Sequence, residues 1–249
     1  MDADLRFAHE LADAADAVTL ERFRSLDLHV ETKPDLSPVS EADRLAEEAV
    51  RSLVSRRGKG ELVLGEEGGG EDAEGGARWI VDPIDGTRNY VRGLPVWGTL
   101  LALEREALVD VALVSAPALG RRWWASRGGG AWADGAQCRV SAIGRMEDAV
   151  VSSTSQRDMP DGWRTIARRA WADRSFADFW QYCLVAEGSV DVAADETLHL
   201  WDYAAVQLIV VKAGGRCTTF DGDPPSPGAS FVSSNDLLHD EALAVLRTR

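Results

Sequence analysis

Apolar residues recur at helical spacing from the start of the chain. Leu5, Ala8, Leu11, Ala12, Ala15 and Val18 fall on one face and predict an amphipathic helix over 3–24. Leu28, Val30 and Thr32 alternate with polar residues, as in a strand or extended arm, before Pro34 and Pro38 interrupt the chain. Ser40-Glu41-Ala42-Asp43 reads as a helix N-cap with an acidic first turn, and Leu45, Ala49 and Leu53 carry the apolar face on to Arg56. Leu62-Val63-Leu64 predicts a short strand ending at Gly65-Glu66-Glu67. The Gly- and acid-rich stretch 68–76 reads as a mobile loop. Trp79-Ile80-Val81 is a buried strand, and 96–103, 109–114 and 122–125 predict neighbouring strands. Beyond 142–148 the pattern changes. Strands at 150–152, 190–194, 216–220 and 230–233 alternate with helices at 163–171, 179–187, 201–213 and 236–246. The expected division is an N-terminal α+β subdomain over 1–143 and a C-terminal α/β subdomain over 144–249.

Composition narrows the classes of function. The chain is 45% hydrophobic and 27% charged, ordinary for a soluble globular protein. Its net charge of −14, from 41 acidic and 27 basic residues, argues against nucleic acid as the main partner, since phosphate backbones need clustered Lys and Arg. Cys138, Cys183 and Cys217 are odd in number and far apart, and His9, His29, His199 and His239 have no ligand spacing. Disulfides and a zinc site are therefore not expected. The N-terminus lacks a signal-peptide pattern and no apolar run is long enough for a bilayer. The expectation is a cytoplasmic enzyme without a membrane partner.

The most telling segment is Trp79-Ile-Val-Asp-Pro-Ile-Asp-Gly-Thr-Arg-Asn89. An apolar strand delivers Asp82 and Asp85 to its end, next to a Gly86-Thr87 turn. Carboxylate oxygens on a rigid element suit Mg²⁺, and free turn N–H groups suit a phosphate. The competing reading is a plain Asp-Gly hairpin turn. Asp43, Glu66 and Asp202 also stand at element ends, where a fold can aim side chains into one cleft. Each taken alone reads equally as a cap or a surface charge.

Gly65-Glu66-Glu67, the segment 79–90, Trp201-Asp202-Tyr-Ala-Ala and Ala213-Gly214-Gly215 together resemble the ordered motifs of the inositol monophosphatase family. Order and spacing match over nearly the whole chain. The resemblance implies an α/β (α+β) layered αβαβα sandwich of two packed subdomains, and Mg²⁺-dependent hydrolysis of a small phosphomonoester. By position, Glu66, Asp82 and the carbonyl of Ile84 would hold one ion. Asp82, Asp85 and Asp202 would hold a second, and a weaker third ion would share Glu66. The backbone of Gly86 and Thr87 would receive the phosphate. Thr87 would orient the attacking water and pass a proton to Asp43, the acid that follows Lys33-Pro34-Asp35-Leu36-Ser37. The resemblance also implies a homodimer.

Two other phosphatase chemistries fail on spacing. A cysteine phosphatase places Arg six residues after its Cys, whereas Arg145 lies seven after Cys138 with no glycine cradle between. A dehalogenase-type site needs Asp-x-Asp, and this chain has one residue more between Asp82 and Asp85.

Segments 32–39, 91–97, 114–125 and 178–188 resemble the actinobacterial histidinol-phosphatase branch of the family. This implies L-histidinol phosphate as substrate, with Arg174 and Asp178 approaching it. Asp178 would pair with the cationic amine or imidazole. An inositol phosphate, or another polyol phosphate, is the alternative substrate. A non-catalytic member binding a macromolecule is the alternative of another class. Glu187 is expected to cap or pack. The chain departs from the branch at Phe176-Ala177, where Tyr-Gly is usual, and at Lys212, where Glu is usual. In Trp123-Trp124 one ring is expected in the core and the other at a subunit contact.

Overall fold

A computed structural model describes residues 2–34, 36–70 and 76–247 of the 249-residue chain. Most of the expected 68–76 loop, residues 71–75, lies outside the described residues. The first half runs α1 (Ala3–Arg22), β1 (Val30–Thr32), β2 (Pro38–Ser40), α2 (Glu41–Arg57), β3 (Leu62–Gly65), β4 (Ala77–Asp85), α3 (Thr87–Val91), β5 (Gly98–Arg105), β6 (Leu108–Ala116), β7 (Arg121–Ser126), β8 (Gly130–Ala133) and β9 (Ala136–Gln137). The second runs β10 (Val150–Ser153), α4 (Asp161–Arg169), β11 (Ala172–Arg174), α5 (Asp178–Ala186), β12 (Val192–Leu198), α6 (Leu200–Lys212), β13 (Arg216–Thr218), β14 (Ala229–Ser234) and α7 (His239–Leu246). The expected helices and strands are present within a few residues at their ends. Periodicity did not reveal the short β2, α3, β8, β9 and β11, which have too few residues to display a period; Pro38, read as a chain break, opens β2.

Strands β3 to β9 form one seven-stranded sheet in chain order. The second sheet has five strands in the order β11-β10-β12-β14-β13. Side chains alternate across a strand, so each sheet has two apolar faces to cover. On one face of the first sheet, Trp79, Val81, Leu101, Leu103, Val111 and Leu113 pack under Leu11, Ala15, Ala46 and Val50 of α1 and α2. On the other, Ile80, Leu100, Ala102, Val114 and Trp123 meet α5 and α6, whose far sides cover Ala193 and Phe231 of the second sheet. The outer face of that sheet, with Val151, Val192 and Val232, is closed by Trp163, Ile166, Ala242 and Leu246 of α4 and α7. The result is a five-layer αβαβα sandwich. Its central helices belong by sequence to the second half, yet they complete the core of the first.

Trp123 and Trp124 do face opposite sides. Trp123 is fully buried in the central layer, and Trp124 packs beside α1 with its ring edge-on to His9 at 5.2 Å between centroids. Glu187 accepts hydrogen bonds from Trp123 Nε1 and, at 2.9 Å, from Arg121, so it packs as expected.

Candidate active site

Strand β4 does not stop at Val81 but continues through both aspartates, with a register shift between Asp82 and Asp85 against β5. The shift turns the chain so that two carboxylates three residues apart approach the same region. The backbone N–H of Ile84 donates to Asp82 Oδ1 at 3.0 Å, and Thr99 Oγ1 donates to the Pro83 carbonyl at 2.8 Å. Gly86 follows at φ +84°, a conformation that favours glycine. A Cβ there would lie 3.0 Å from the Val96 carbonyl and 3.1 Å from Asp178 Oδ2, so the turn is also closed to a side chain sterically.

Thr87 opens α3. Its hydroxyl stands 2.9 Å from the Ile84 carbonyl and 3.2 Å from Asp43 Oδ1. With one hydrogen, it serves these acceptors alternately or as a bifurcated donor. Asp43 is fully buried in the first turn of α2, where its Oδ2 accepts from Ser40 N at 2.9 Å and Ser40 Oγ at 2.6 Å. The capping role and the contact with Thr87 therefore coexist. Burial, with Glu67 and Glu66 nearby, raises the Asp43 carboxyl to about 6 despite the Ser40 bonds.

Parallel pairing of β3 with β4 sets Gly65 against Val81, and Glu66 N donates to the Val81 carbonyl at 3.1 Å. Glu66 thus leaves its strand level with Asp82. Buried Glu47 of α2 fixes the turn: its carboxylate accepts from Glu67 N at 2.8 Å and Gly68 N at 2.9 Å. Lys33 reaches across from the β1–β2 hairpin, 2.7 Å from Glu66 and 2.6 Å from Glu67. Asp202 enters from the other half, in the first turn of α6, where it accepts from His199 N at 2.6 Å.

These acids feel one another. Asp82 is raised well above the usual carboxylate range by burial and then by Glu66, Asp85, Asp202 and Asp43. Asp85 is raised by burial and then by Asp178 and Asp202, against a 2.6 Å bond from Phe179 N. Asp202 is pushed up to about 7 by burial, with Glu66 contributing. Buried like charges are costly unless a cation neutralises them, and hard oxygen donors suit Mg²⁺. The chemistry of the donor set therefore fits a divalent ion, although among the described residues no group of three or more His, Cys, Asp or Glu side chains is already placed to hold one.

Beside the acids opens a cleft of about 370 Å³, with Asp85, Arg88, Asp178, Asp195, Glu196 and Asp202 on its walls. Asp178 lies in it, accepting from Asn89 Nδ2 at 2.9 Å, and burial with nearby Asp195 raises it to about 7. Arg174 does not line it: its guanidinium is exposed on edge strand β11 and donates to the Asp173 carbonyl at 2.8 Å. Sequence reading missed Glu47, Arg88, Asp195 and Glu196. Asp195 accepts from Thr154 N, Thr154 Oγ1, Gln181 and Tyr182 at 2.6–3.0 Å. An acid inside an apolar strand, Val192-Ala-Ala-Asp195, was the signal available for it. Glu47 offered none, being one more Glu in a polar helix.

Comparison with known proteins gives the family and the fold. The chain belongs to the inositol monophosphatase family, whose model matches residues 1–248. It is 48% identical to the histidinol-phosphatase of Streptomyces coelicolor, over 99% of this chain and 97% of that one. Its fold superimposes on the IMPase of Thermotoga maritima with a TM-score of 0.91 and 31% identity, covering 98% and 97% of the two chains. An IMPase/NADP phosphatase complexed with Mg²⁺ and phosphate shares the fold at a TM-score of 0.89 and 23% identity, covering 98% and 95%. The protein is a metal-dependent phosphatase acting on a small phosphomonoester.

Proposed function

We propose that this phosphatase converts L-histidinol phosphate to L-histidinol in histidine biosynthesis. The full-length similarity to a histidinol-phosphatase carries the reading. The acid-lined cleft beside the Asp82–Asp85–Asp202 carboxylates supports it, since histidinol offers cationic groups where inositol offers only hydroxyls.

Glu66, Asp82 and the Ile84 carbonyl would hold one Mg²⁺, and Asp82, Asp85 and Asp202 a second, with a weaker third sharing Glu66. Bound there, the ions would neutralise the carboxylates, polarise the phosphoryl group and lower the pKa of water. The chain supplies the rest. Backbone N–H groups of Gly86 and Thr87 bind phosphoryl oxygens, and Asp85 and Asp202 flank the ester. Thr87 Oγ1 orients the attacking water and relays its proton to Asp43. Burial favours the protonated form of Asp43, so it is a competent acceptor near neutral pH. Attack is direct, with no phosphoenzyme. Asp178 faces the leaving alcohol. Arg174 would reach a substrate only by leaving its present carbonyl contact, and Arg174→Ala is expected to raise KM with little change in kcat.

We further propose a cytoplasmic homodimer with two subdomains meeting near residue 143. The decisive assay is phosphate release from histidinol phosphate and inositol 1-phosphate in parallel, with and without Mg²⁺. A clear preference for the inositol ester would replace the substrate, and release from neither would favour a non-catalytic binding role.

A further inference from the structure

Strand β12 pairs with β14 in regular register up to Asp195 opposite Phe231, then resumes with Leu198 opposite Ala229. Three steps on one strand match two on the other, so Glu196 and Thr197 sit in a bulge. In a regular strand, consecutive residues point to opposite faces. Here Asp195, Glu196, Thr197 and Leu198 all line the same cleft. The bulge breaks the alternation that would carry every second residue away from the cleft.

The carboxylates of the cleft differ in what already occupies them. Asp85 accepts from Phe179 N and Asp202 from His199 N, and both belong to the proposed metal set. Asp178 is taken by Asn89, Asp195 by Thr154, Gln181 and Tyr182, and Asp158 by Ser155 Oγ at 2.6 Å. Glu196 lines the cleft and is exposed, and among the described residues no hydrogen bond or ion pair engages it. Arg88 follows the Gly86-Thr87 turn and lines the same cleft. The cleft thus carries both signs of charge, a cation next to the phosphate turn in the chain and an anion with no partner of its own.

We propose that Glu196 is a specificity-determining residue that selects esters whose leaving alcohol carries a positive charge. It deepens the histidinol phosphate reading and rests on it. An ester with an anionic phosphoryl end and a cationic alcohol end matches both charges. A neutral polyol phosphate matches one and leaves Glu196 without a counter-charge, which is discrimination by unpaired charge.

The test is the ratio of kcat/KM for histidinol phosphate to that for glycerol 2-phosphate, a neutral-alcohol ester, measured on the Mg²⁺-loaded wild type, Glu196→Gln and Glu196→Asp. Glu196→Gln should lower the ratio about 1.5- to fivefold, the size of one solvent-exposed charge pair, mainly through KM for the cationic ester. Glu196→Asp should keep most of it, because the charge remains. A wild type that prefers the cationic ester and a Glu196→Gln variant that keeps that preference overturn this assignment and leave the substrate reading standing. A wild type that prefers the neutral ester overturns both. Glu196 is exposed, so neither variant removes a buried contact, and a melting curve for each variant checks the fold.

Discussion

Replacing Asp82 by Asn should raise stability without metal while destroying turnover. Asp82 is 2% exposed and surrounded by Glu66, Asp85, Asp202 and Asp43, with burial the largest influence raising its carboxyl. Two unit charges about 6 Å apart at an effective dielectric near 20 repel by about 3 kcal/mol. The carboxyl escapes part of that cost by taking up a proton, so about 1–2 kcal/mol is the expected penalty at neutral pH. Asn is nearly isosteric, keeps an Oδ1 for the 3.0 Å bond from Ile84 N, and turns a second acceptor into a donor facing carboxylates. For a chain of this length a gain of about 1–2 kcal/mol corresponds to a melting temperature about 2–8 °C higher. The pH dependence has a definite sign. The folded state binds this proton at higher pH than the unfolded chain, so the wild-type deficit should shrink as pH falls from 7 towards 4. Mg²⁺ should reverse the order, because a ligand at one hundred times its Kd adds about 2.7 kcal/mol to the form that binds it. Melting curves of both proteins in EDTA and in excess Mg²⁺, with phosphate release alongside, decide the matter. A variant less stable than wild type in EDTA, or stabilised by Mg²⁺ to the same extent, would refute the idea that Asp82 is a buried charge awaiting a cation.

Thr87→Val removes the hydroxyl between Ile84 and Asp43 and should reduce kcat about 10²-fold or more, while Thr87→Ser keeps most activity; equal loss in both would point to packing instead of a proton relay. Ala177 sits at φ 66°, ψ 158°, a region nearly confined to glycine, so Ala177→Gly should stabilise the fold by about 1–2 kcal/mol in denaturant titrations. His239 is fully buried between Thr218 Oγ1 at 2.9 Å and Ser234 Oγ at 2.8 Å, and burial lowers its pKa from 6.5 to about 4. Its contribution is complete above pH 6.5 and is lost as pH falls towards 4, because the unfolded chain binds the proton first. The stability difference between wild type and His239→Asn should therefore narrow by about 2–3 kcal/mol across that window. An unchanged difference would contradict a buried neutral imidazole. With Arg174→Ala, these variants separate chemistry, strain, protonation and substrate contact.

Much of this was legible in the chain itself. Helical and strand periods are local properties, so the long elements could be located from residue order. The Asp82–Thr87 corner could be read because its parts are contiguous: one apolar strand, two acids and a glycine turn. The Ser40 N-cap with its acidic first turn was equally local, and it is present at the start of α2. Family motifs tied Glu66 and Asp202 to that corner, although nothing in their own neighbourhoods does so.

Tertiary structure decided everything that depends on distant segments meeting. The seven-stranded sheet obtains its inner cover from α5 and α6, so a helix of the second half carries Asp202 to a strand tip of the first. Glu47 became the clamp of the Glu66 turn only because α2 lies against β3, and Lys33 met Glu66 only because the β1–β2 hairpin folds across it. The bulge at Glu196 and Thr197 needs β14 as its partner, and Arg174 was left at an edge because β11 ends its sheet. A sequence determines local propensity and the residues available for chemistry. Which carboxylates are stripped of water and pressed together is determined by packing, because burial and Coulomb energies depend on distance in space.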